Sequence, residues 1–171
     1  MRGSVTTGEP SFPSLKSYMK LSGPAANNHS HRENINMSKR VKGSCLCGEV
    51  RFTIEGEFES FFLCHCAYCQ KDTGSAHASN LFSTNAKLNW VSGQEKVTVY
   101  NLPSTRHVKS FCSHCGSALP STQMEGRLIA VPAGSLDDKI SLKPNAHIFV
   151  ASKAEWDHGL ETIHCFDGLP G

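Results

Sequence analysis

The sequence predicts a mainly β fold with little helix, and the spacing of its apolar residues is the first reason. Val50, Phe52 and Ile54 alternate with polar or charged residues, which is the period of a half-buried strand. Similar short runs follow, and turn-forming residues separate them. These runs predict strands at residues 49–57, 60–63, 80–83, 88–91, 96–100, 106–111, 128–133 and 147–151.

Helical patterns are scarce, which is the second reason for the β assignment. Only residues 67–73 and 154–158 are candidates for short helices. Neither stretch is long enough to form a helical layer, because helices of globular proteins usually extend over three turns or more. The fold class is therefore all-β, or β-rich with little helix.

The chain divides into a leader and one domain. Residues 1–40 are rich in Ser, Asn, Pro and Gly and show no apolar period, so we expect a disordered leader or linker there. His29 and His31 fall within this stretch and are predicted to be exposed linker residues rather than metal ligands. Residues 41–171 are long enough to form one domain with its own core.

The net charge of +2 hides an uneven distribution. Residues 1–44 contain seven Lys or Arg and two Asp or Glu (+5), whereas residues 45–171 contain ten and thirteen (−3). A folded region of negative charge disfavours nucleic acid as a partner. No apolar run reaches the roughly 18 residues of a membrane span, so we expect no membrane association. We predict a cytoplasmic, reducing setting, in which clustered cysteines bind metal.

Four cysteines predict a closed zinc site. Cys45 and Cys47 are two residues apart, which on an extended segment directs both side chains to the same face. Cys112 and Cys115 are three apart and precede Gly116, the spacing of a tight turn that points two sulfurs at one ion. Four thiolates suit tetrahedral zinc, so we expect a structural ion. An iron–sulfur cluster is disfavoured because its usual spacings are absent.

Three further cysteines, Cys64, Cys66 and Cys69, predict a second zinc site with an open fourth position. Such a position can take water, a substrate or another side chain, which is the pattern of catalytic zinc. A thiol that enters it loses its proton readily, because coordination favours thiolate over thiol. The result would be a sulfur nucleophile for an electrophile such as an aldehyde.

The alternative is a second structural zinc that the protein itself completes, and spacing does not separate the two interpretations. Candidate fourth ligands are His65, His77, His107, His114 and Cys165. Next to the cluster, Gly74 and Ser75 are candidates for substrate binding, since backbone N–H groups can approach an anion at a glycine. A plain turn is the competing interpretation of these two residues.

The combined motifs resemble the glutathione-dependent formaldehyde-activating enzyme family, also called the centromere-protein-V/Gfa domain family. The resemblance covers about residues 41–160. It rests on GSCLCGEV at residues 43–50, CHCAYCQKDTGS at 64–75 and FCSHCGS at 111–117, with AGSLD at 133–137, HIFV at 147–150 and SKAEW at 152–156.

The resemblance implies an Mss4-like β-rich zinc-binding fold over residues 41–171. It implies a carbon–sulfur lyase that forms S-hydroxymethylglutathione reversibly from formaldehyde and glutathione, with zinc as cofactor and glutathione as co-substrate. The partners would be a small thiol and a carbonyl compound; whether the chain forms a homo-oligomer stays open. The implied structural zinc ligands are Cys45, Cys47, Cys112 and Cys115, and the implied catalytic zinc ligands are Cys64, Cys66 and Cys69.

His77 departs from the pattern of this family, because an aromatic residue is expected at its position. It is a candidate fourth ligand or general base, since a histidine titrates near working pH. Two other functions compete with the lyase. One is a non-catalytic zinc-stabilised binding module, and the other is a methionine sulfoxide reductase B-type enzyme, which would need Cys165 as its nucleophile.

Overall fold

The computed structural model describes residues 39–170. These residues form ten short strands and one α-helix, so the predicted mainly β class is confirmed. The helix, α1, spans Ala67–Thr73. The strands are β1 (Arg40–Ser44), β2 (Arg51–Glu55), β3 (Ser60–Cys64), β4 (Ala78–Ser83), β5 (Lys87–Ser92), β6 (Val97–Asn101), β7 (Val108–Cys112), β8 (Ser121–Gln123), β9 (Leu128–Pro132) and β10 (Ala146–Ile148). Short 3₁₀ turns lie at Gln94–Lys96, Ala133–Ser135, Val150–Ser152, Glu155–Asp157 and Leu160–Thr162.

The strands form three sheets. The first has three strands in the order β1-β2-β5, and the second has five in the order β10-β3-β4-β9-β8. The third is the β6–β7 hairpin. All pairings are antiparallel except that of β10 with β3, which is parallel and sets His147 opposite Leu63. In pairs such as β2–β5 and β4–β9, strands that are distant in sequence lie side by side in one sheet.

One hydrophobic core connects the sheets, and β2 supplies its centre. Phe52 and Ile54 of β2, and Val50 just before it, are fully buried, as the alternation of the sequence predicts. Phe52 meets Trp90 of β5 edge to face, with ring centroids 5.9 Å apart, a favoured geometry for aromatic pairs. From the other side the core is closed by Leu81, Leu119, Ile129 and Val131.

The sequence located most elements but not all of them. The helix predicted at residues 67–73 matches α1, and the one predicted at 154–158 is a single 3₁₀ turn at Glu155–Asp157. The strand predicted at 147–151 was too long, because the chain turns at Phe149, where φ is +57°. β8 was not predicted; its three residues are too few to show a period.

The leader predicted for residues 1–40 lies outside the described residues except for Lys39 and Arg40, as do His29 and His31. β1 begins at Arg40, the last residue of that predicted leader. Within residues 39–170, no helix combines the length and the apolar character that a membrane crossing requires.

Candidate metal centres

The first metal centre is formed by the four cysteines that spacing assigns to a closed site. The sulfurs of Cys45, Cys47, Cys112 and Cys115 all lie within 4.8 Å of one another. Cys45 and Cys112 are buried, whereas Cys47 is exposed. Tetrahedral zinc with Zn–S bonds of about 2.3 Å requires sulfurs about 3.8 Å apart, so this donor set fits one zinc ion.

Two turns hold these sulfurs together. Cys45 and Cys47 lie in the turn between β1 and β2, where Gly48 N–H donates to Cys45 O at 2.9 Å. The prediction of an extended segment here is therefore wrong: the turn, rather than strand alternation, sets the two sulfurs on one side. Cys112 ends β7, and Gly116 N–H donates to Cys112 O at 2.8 Å. Gly116 has φ +73°, which the tight turn requires.

Backbone N–H groups favour thiolate at the first centre. Burial alone would raise the pKa of Cys45, but the N–H of Val50, 3.3 Å from its sulfur, and the thiols of Cys47 and Cys112 lower that pKa overall. The backbone at Ser117 and Cys47 lowers the pKa of Cys115 to about 6. Since zinc binds thiolate rather than thiol, both effects prepare these residues for metal.

The second centre contains three cysteines from one continuous stretch. The sulfurs of Cys64, Cys66 and Cys69 lie within 4.8 Å of one another. Cys64 ends β3, Cys66 is the N-cap of α1, and Cys69 lies in the first turn of the helix. The Cys66 sulfur accepts a hydrogen bond from Cys69 N–H at 3.4 Å, so helix capping and metal binding use the same atom.

Mutual hydrogen bonding shifts the pKa values of Cys64 and Cys69 in opposite directions. The thiol of Cys69 lowers the pKa of Cys64 to about 6, and the same interaction raises the pKa of Cys69. One member of the cluster is therefore ready to bind as thiolate at neutral pH. The described residues add no histidine, carboxylate or fourth cysteine to this group.

Four of the candidate fourth ligands contact groups other than the three sulfurs of the second centre. His65 is completely buried, and its Nε2 lies 2.8 Å from Nδ1 of His147. His107 pairs with Asp72 at 3.3 Å, and His114 with Glu49 at 3.2 Å. Cys165 is exposed, with its thiol 3.7 Å from the carbonyl oxygen of Ile163. None of these candidates joins the three sulfurs.

His77 belongs to a histidine cluster beside the second centre. Its ring packs edge to face on His65, with centroids 5.1 Å apart, and its Nδ1 lies 3.4 Å from Ser79 Oγ. Because Ala78 pairs with Cys64 across the sheet, His77 lies next to the end of β3. His77 therefore precedes the residue that pairs with Cys64, and it does not belong to the group of three sulfurs.

Sequence reasoning missed the polar chain that extends from this cluster. The buried His65 lies between His147, on the outer strand β10, and Asp157, whose Oδ2 is 3.4 Å from His65 Nδ1. Asp157 also lies 3.6 Å from Lys153 Nζ. Burial, with contributions from His77 and His147, lowers the pKa of His65. A strand or helix period carries no signal for partners 82 residues apart in sequence.

Gly74 and Ser75 follow the helix. Gly74 ends α1 in the left-handed conformation at φ +63°, and its N–H donates to Gln70 O at 2.9 Å. This N–H is therefore used for capping. Ser75 is exposed. Their assignment to substrate binding stays a prediction.

Comparison of the sequence with known proteins identifies the family. The sequence pattern of the family described as glutathione-dependent formaldehyde-activating enzyme matches residues 40–152. A Halomonas elongata protein with the provisional name glutathione-dependent formaldehyde-activating enzyme is 30% identical over 142 residues, which cover 76% of this chain and 88% of that protein. A Rhodobacter sphaeroides protein of known crystal structure is 22% identical with a TM-score of 0.46, covering 62% of this chain and 98% of that one. The chain belongs to the glutathione-dependent formaldehyde-activating enzyme family.

Proposed function

We propose that this protein is a zinc-dependent carbon–sulfur lyase that acts on glutathione-type thiol adducts. The reaction is the reversible formation of S-hydroxymethylglutathione from formaldehyde and glutathione, or from a closely related thiol and carbonyl. The family assignment supports the substrates. The observation that carries the proposal is the group of three sulfurs to which the described residues add no fourth donor.

The two centres would divide structure and chemistry between them. The donors of the first centre, Cys45, Cys47, Cys112 and Cys115, saturate a tetrahedral ion and suit a structural zinc. The donors of the second, Cys64, Cys66 and Cys69, would hold a catalytic zinc. When bound there, zinc would act as a Lewis acid that lowers the pKa of a thiol at its fourth position.

The chain's own residues would position the reactants and move one proton. The glutathione sulfur adds to the carbonyl carbon of formaldehyde, so a C–S bond forms and the carbonyl π bond breaks. The proton that the thiol gives up is transferred to the new hydroxyl oxygen, so the balance needs no oxidant or reductant. We assign that proton transfer to His77, because it is a half-buried imidazole that precedes Ala78, the residue paired with Cys64, and imidazole is the commonest side chain for proton transfer.

The proposal also includes the residues that contact the substrate, the bounds of the catalytic domain and the cellular location. Gly74 and Ser75, exposed at the end of α1, would contact the peptide part of glutathione. The catalytic domain would comprise residues 41–171, preceded by a leader at residues 1–40. We place the protein in the cytoplasm, where glutathione is abundant and clustered thiols stay reduced.

Exchange spectroscopy with ¹³C-labelled formaldehyde, glutathione and zinc-loaded protein tests the proposal. The wild-type protein should accelerate the exchange between free formaldehyde and S-hydroxymethylglutathione. Cys66→Ser should abolish the acceleration, because it removes one thiolate donor. Serine is itself a good helix N-cap, so α1 should remain folded in this variant.

The matched control is Cys165→Ser, which removes an exposed thiol outside both centres. It should keep full activity; loss of activity would favour a reductase that uses Cys165. If the wild-type protein gives no acceleration and both zinc ions stay bound at saturating glutathione, the non-catalytic binding module replaces the lyase.

A further inference from the structure

A cavity of about 170 Å³ lies beside the second metal centre. Its lining includes Cys69 and Asp72 of α1 and residues 108–110 of β7. Cys69 belongs both to this lining and to the group of three sulfurs. A molecule held by its sulfur at the three-cysteine centre would therefore have this cavity as a neighbour.

The charged side chains of the lining are engaged within the protein. Lys109 Nζ donates to Asp72 Oδ1 at 2.6 Å and to Asp72 O at 2.7 Å. The other carboxylate oxygen, Asp72 Oδ2, lies 3.3 Å from His107 Nε2, and Arg106 is likewise engaged. Because a buried charge without a partner of its own costs free energy, this lining suits a neutral ligand group better than a carboxylate.

Ser110 provides an unpaired polar group in this lining. The residue is 5% exposed, and its Oγ has no hydrogen-bond partner among residues 39–170. Buried polar atoms are nearly always paired, and an unpaired one costs free energy. A hydroxyl can both donate and accept a hydrogen bond, so a ligand hydroxyl would satisfy Ser110 without adding charge.

The cavity volume and the rest of the lining set the size of the ligand group. Phe82, Leu119 and Ala130 contribute apolar surface, and Asn80 contributes an amide. The volume is many times the roughly 10–15 Å³ that one water molecule requires, but it is below the roughly 300–1,000 Å³ of pockets that enclose a drug-sized ligand. A short carbon chain with a polar end fits these limits.

We propose that this cavity binds the substituent of an aldehyde larger than formaldehyde, and that Ser110 recognises a hydroxyl on that substituent. The inference rests on the proposed function, which supplies the thiol and the addition reaction. Formaldehyde carries only hydrogen on its carbonyl carbon, so it has no group to place in the cavity. Both ends of glutathione carry a carboxylate, which the compensated charges of the lining do not favour.

The substrate class is accordingly a short, uncharged hydroxyaldehyde. The glutathione sulfur adds to its carbonyl carbon, so a C–S bond forms and the carbonyl π bond breaks. The thiol proton ends on the new hydroxyl oxygen, and no oxidant or reductant is needed. The hydroxyl that Ser110 recognises is a second one, on the substituent, and takes no part in the bond changes.

Calorimetric titration of the zinc-loaded full chain with stable thioethers tests the cavity separately from the chemistry. S-(2-hydroxyethyl)glutathione and S-(3-hydroxypropyl)glutathione carry a hydroxyl on a short arm, whereas S-ethylglutathione and S-propylglutathione lack it. At least one hydroxyl compound should bind about threefold to tenfold more tightly than its alkyl counterpart, the value of one hydrogen bond. Equal affinities within both pairs would overturn the cavity assignment.

Ser110→Ala separates recognition of the hydroxyl from folding. Because Ser110 Oγ has no partner among the described residues, its removal should leave the thermal midpoint unchanged or slightly raised. The members of each pair should then bind equally, while the alkyl compounds keep their wild-type affinity. The control Ser141→Ala removes an exposed hydroxyl that does not line this cavity, and it should keep the wild-type preference. A preference that survives Ser110→Ala would refute the proposed contact.

Activity with different aldehydes gives a second readout. With glutathione, kcat/KM should be higher for glycolaldehyde than for propanal, and Ser110→Ala should lower the value for glycolaldehyde but not for formaldehyde. If the hydroxyl compounds bind preferentially but no thiol–aldehyde exchange is accelerated, the proposed reaction fails and the cavity assignment stands. If formaldehyde exchange is accelerated and no hydroxyl preference exists, the proposed function stands and the cavity assignment fails.

Discussion

His65 shows how burial controls the protonation of a single side chain in this protein. It has no exposed surface, lies between His147 and Asp157, and has a pKa that burial lowers. Below the unfolded-state pKa of about 6.5, the unfolded chain takes up a proton that folded His65 rejects. Stability should therefore fall as pH falls through this value, while above it His65 adds no pH dependence.

Thermal unfolding of zinc-loaded protein between pH 5.5 and 7.5 measures this effect. His65→Gln should flatten the decline of the midpoint on the acid side, at a general cost of about 1–3 kcal/mol because His147 and Asp157 lose a buried partner. Zinc release by thiolate protonation affects wild type and variant alike, so the difference in slope is the informative quantity. His158→Gln, at an exposed position, should keep the wild-type slope; identical slopes for all three proteins would contradict the assignment.

At the scale of single residues, the sequence predicted the groups whose members lie close together in the chain. Seven cysteines within two or three residues of a neighbour indicated two donor groups, and the structure brings together the same four and the same three. Spacing could not identify Asp157 and His147 as neighbours of His65, because their proximity depends on β10 pairing with β3 and on the chain that follows.

Among the elements, α1 connects local folding to the second metal centre. The helix has only seven residues, so its two ends determine much of its stability. Cys66 caps one end, and Gly74 the other with φ +63°. A residue with a Cβ at Gly74 would meet no atom within 4 Å, so its cost would be purely conformational.

Gly74→Ala should therefore destabilise the protein by about 1 kcal/mol, the usual penalty of a left-handed residue that carries a Cβ. It should also weaken zinc at the second centre, since Cys69 lies in the same helix. Chemical denaturation and zinc content are the measurements. Gly134→Ala is the matched control, because its Cβ would also meet nothing within 4 Å and its backbone is not left-handed. Equal stability losses in both variants would contradict the role of the cap.

The strands were predictable where apolar and polar residues alternate. β2 was found because Phe52 and Ile54 alternate with polar residues, although Thr53 between them is also buried. The strand predicted at residues 147–151 was too long, since apolar residues continue beyond Ile148 although Phe149 and Val150 are exposed. β1 was not among the predicted strands; three of its five residues, Arg40, Lys42 and Ser44, are polar.

On the scale of the whole molecule, the first metal centre joins parts of the chain that no backbone pairing connects closely. Cys45 and Cys47 lie in the turn after β1, and Cys112 lies at the end of β7, in a different sheet. Sixty-four residues separate Cys47 from Cys112. An ion bound by both segments restricts the unfolded chain and contributes its binding free energy to folding. The second centre lies within six residues, so its metal closes no long loop.

Removal of metal should consequently proceed in two stages with different structural effects. A chelator should first extract the ion from the second centre, where the protein supplies three donors, and the far-UV circular dichroism should change little. Later loss of the ion from the first centre should coincide with cooperative unfolding. A zinc-sensitive dye and circular dichroism, recorded on the same sample, follow both events.

Two variants separate the centres. Cys66→Ser should lack the first stage of metal release. Cys115→Ser should bind one zinc fewer and unfold on the order of 10 °C lower, the equivalent of several kcal/mol. Simultaneous release of both ions, or unfolding in the first stage, would show that the second centre also supports the fold.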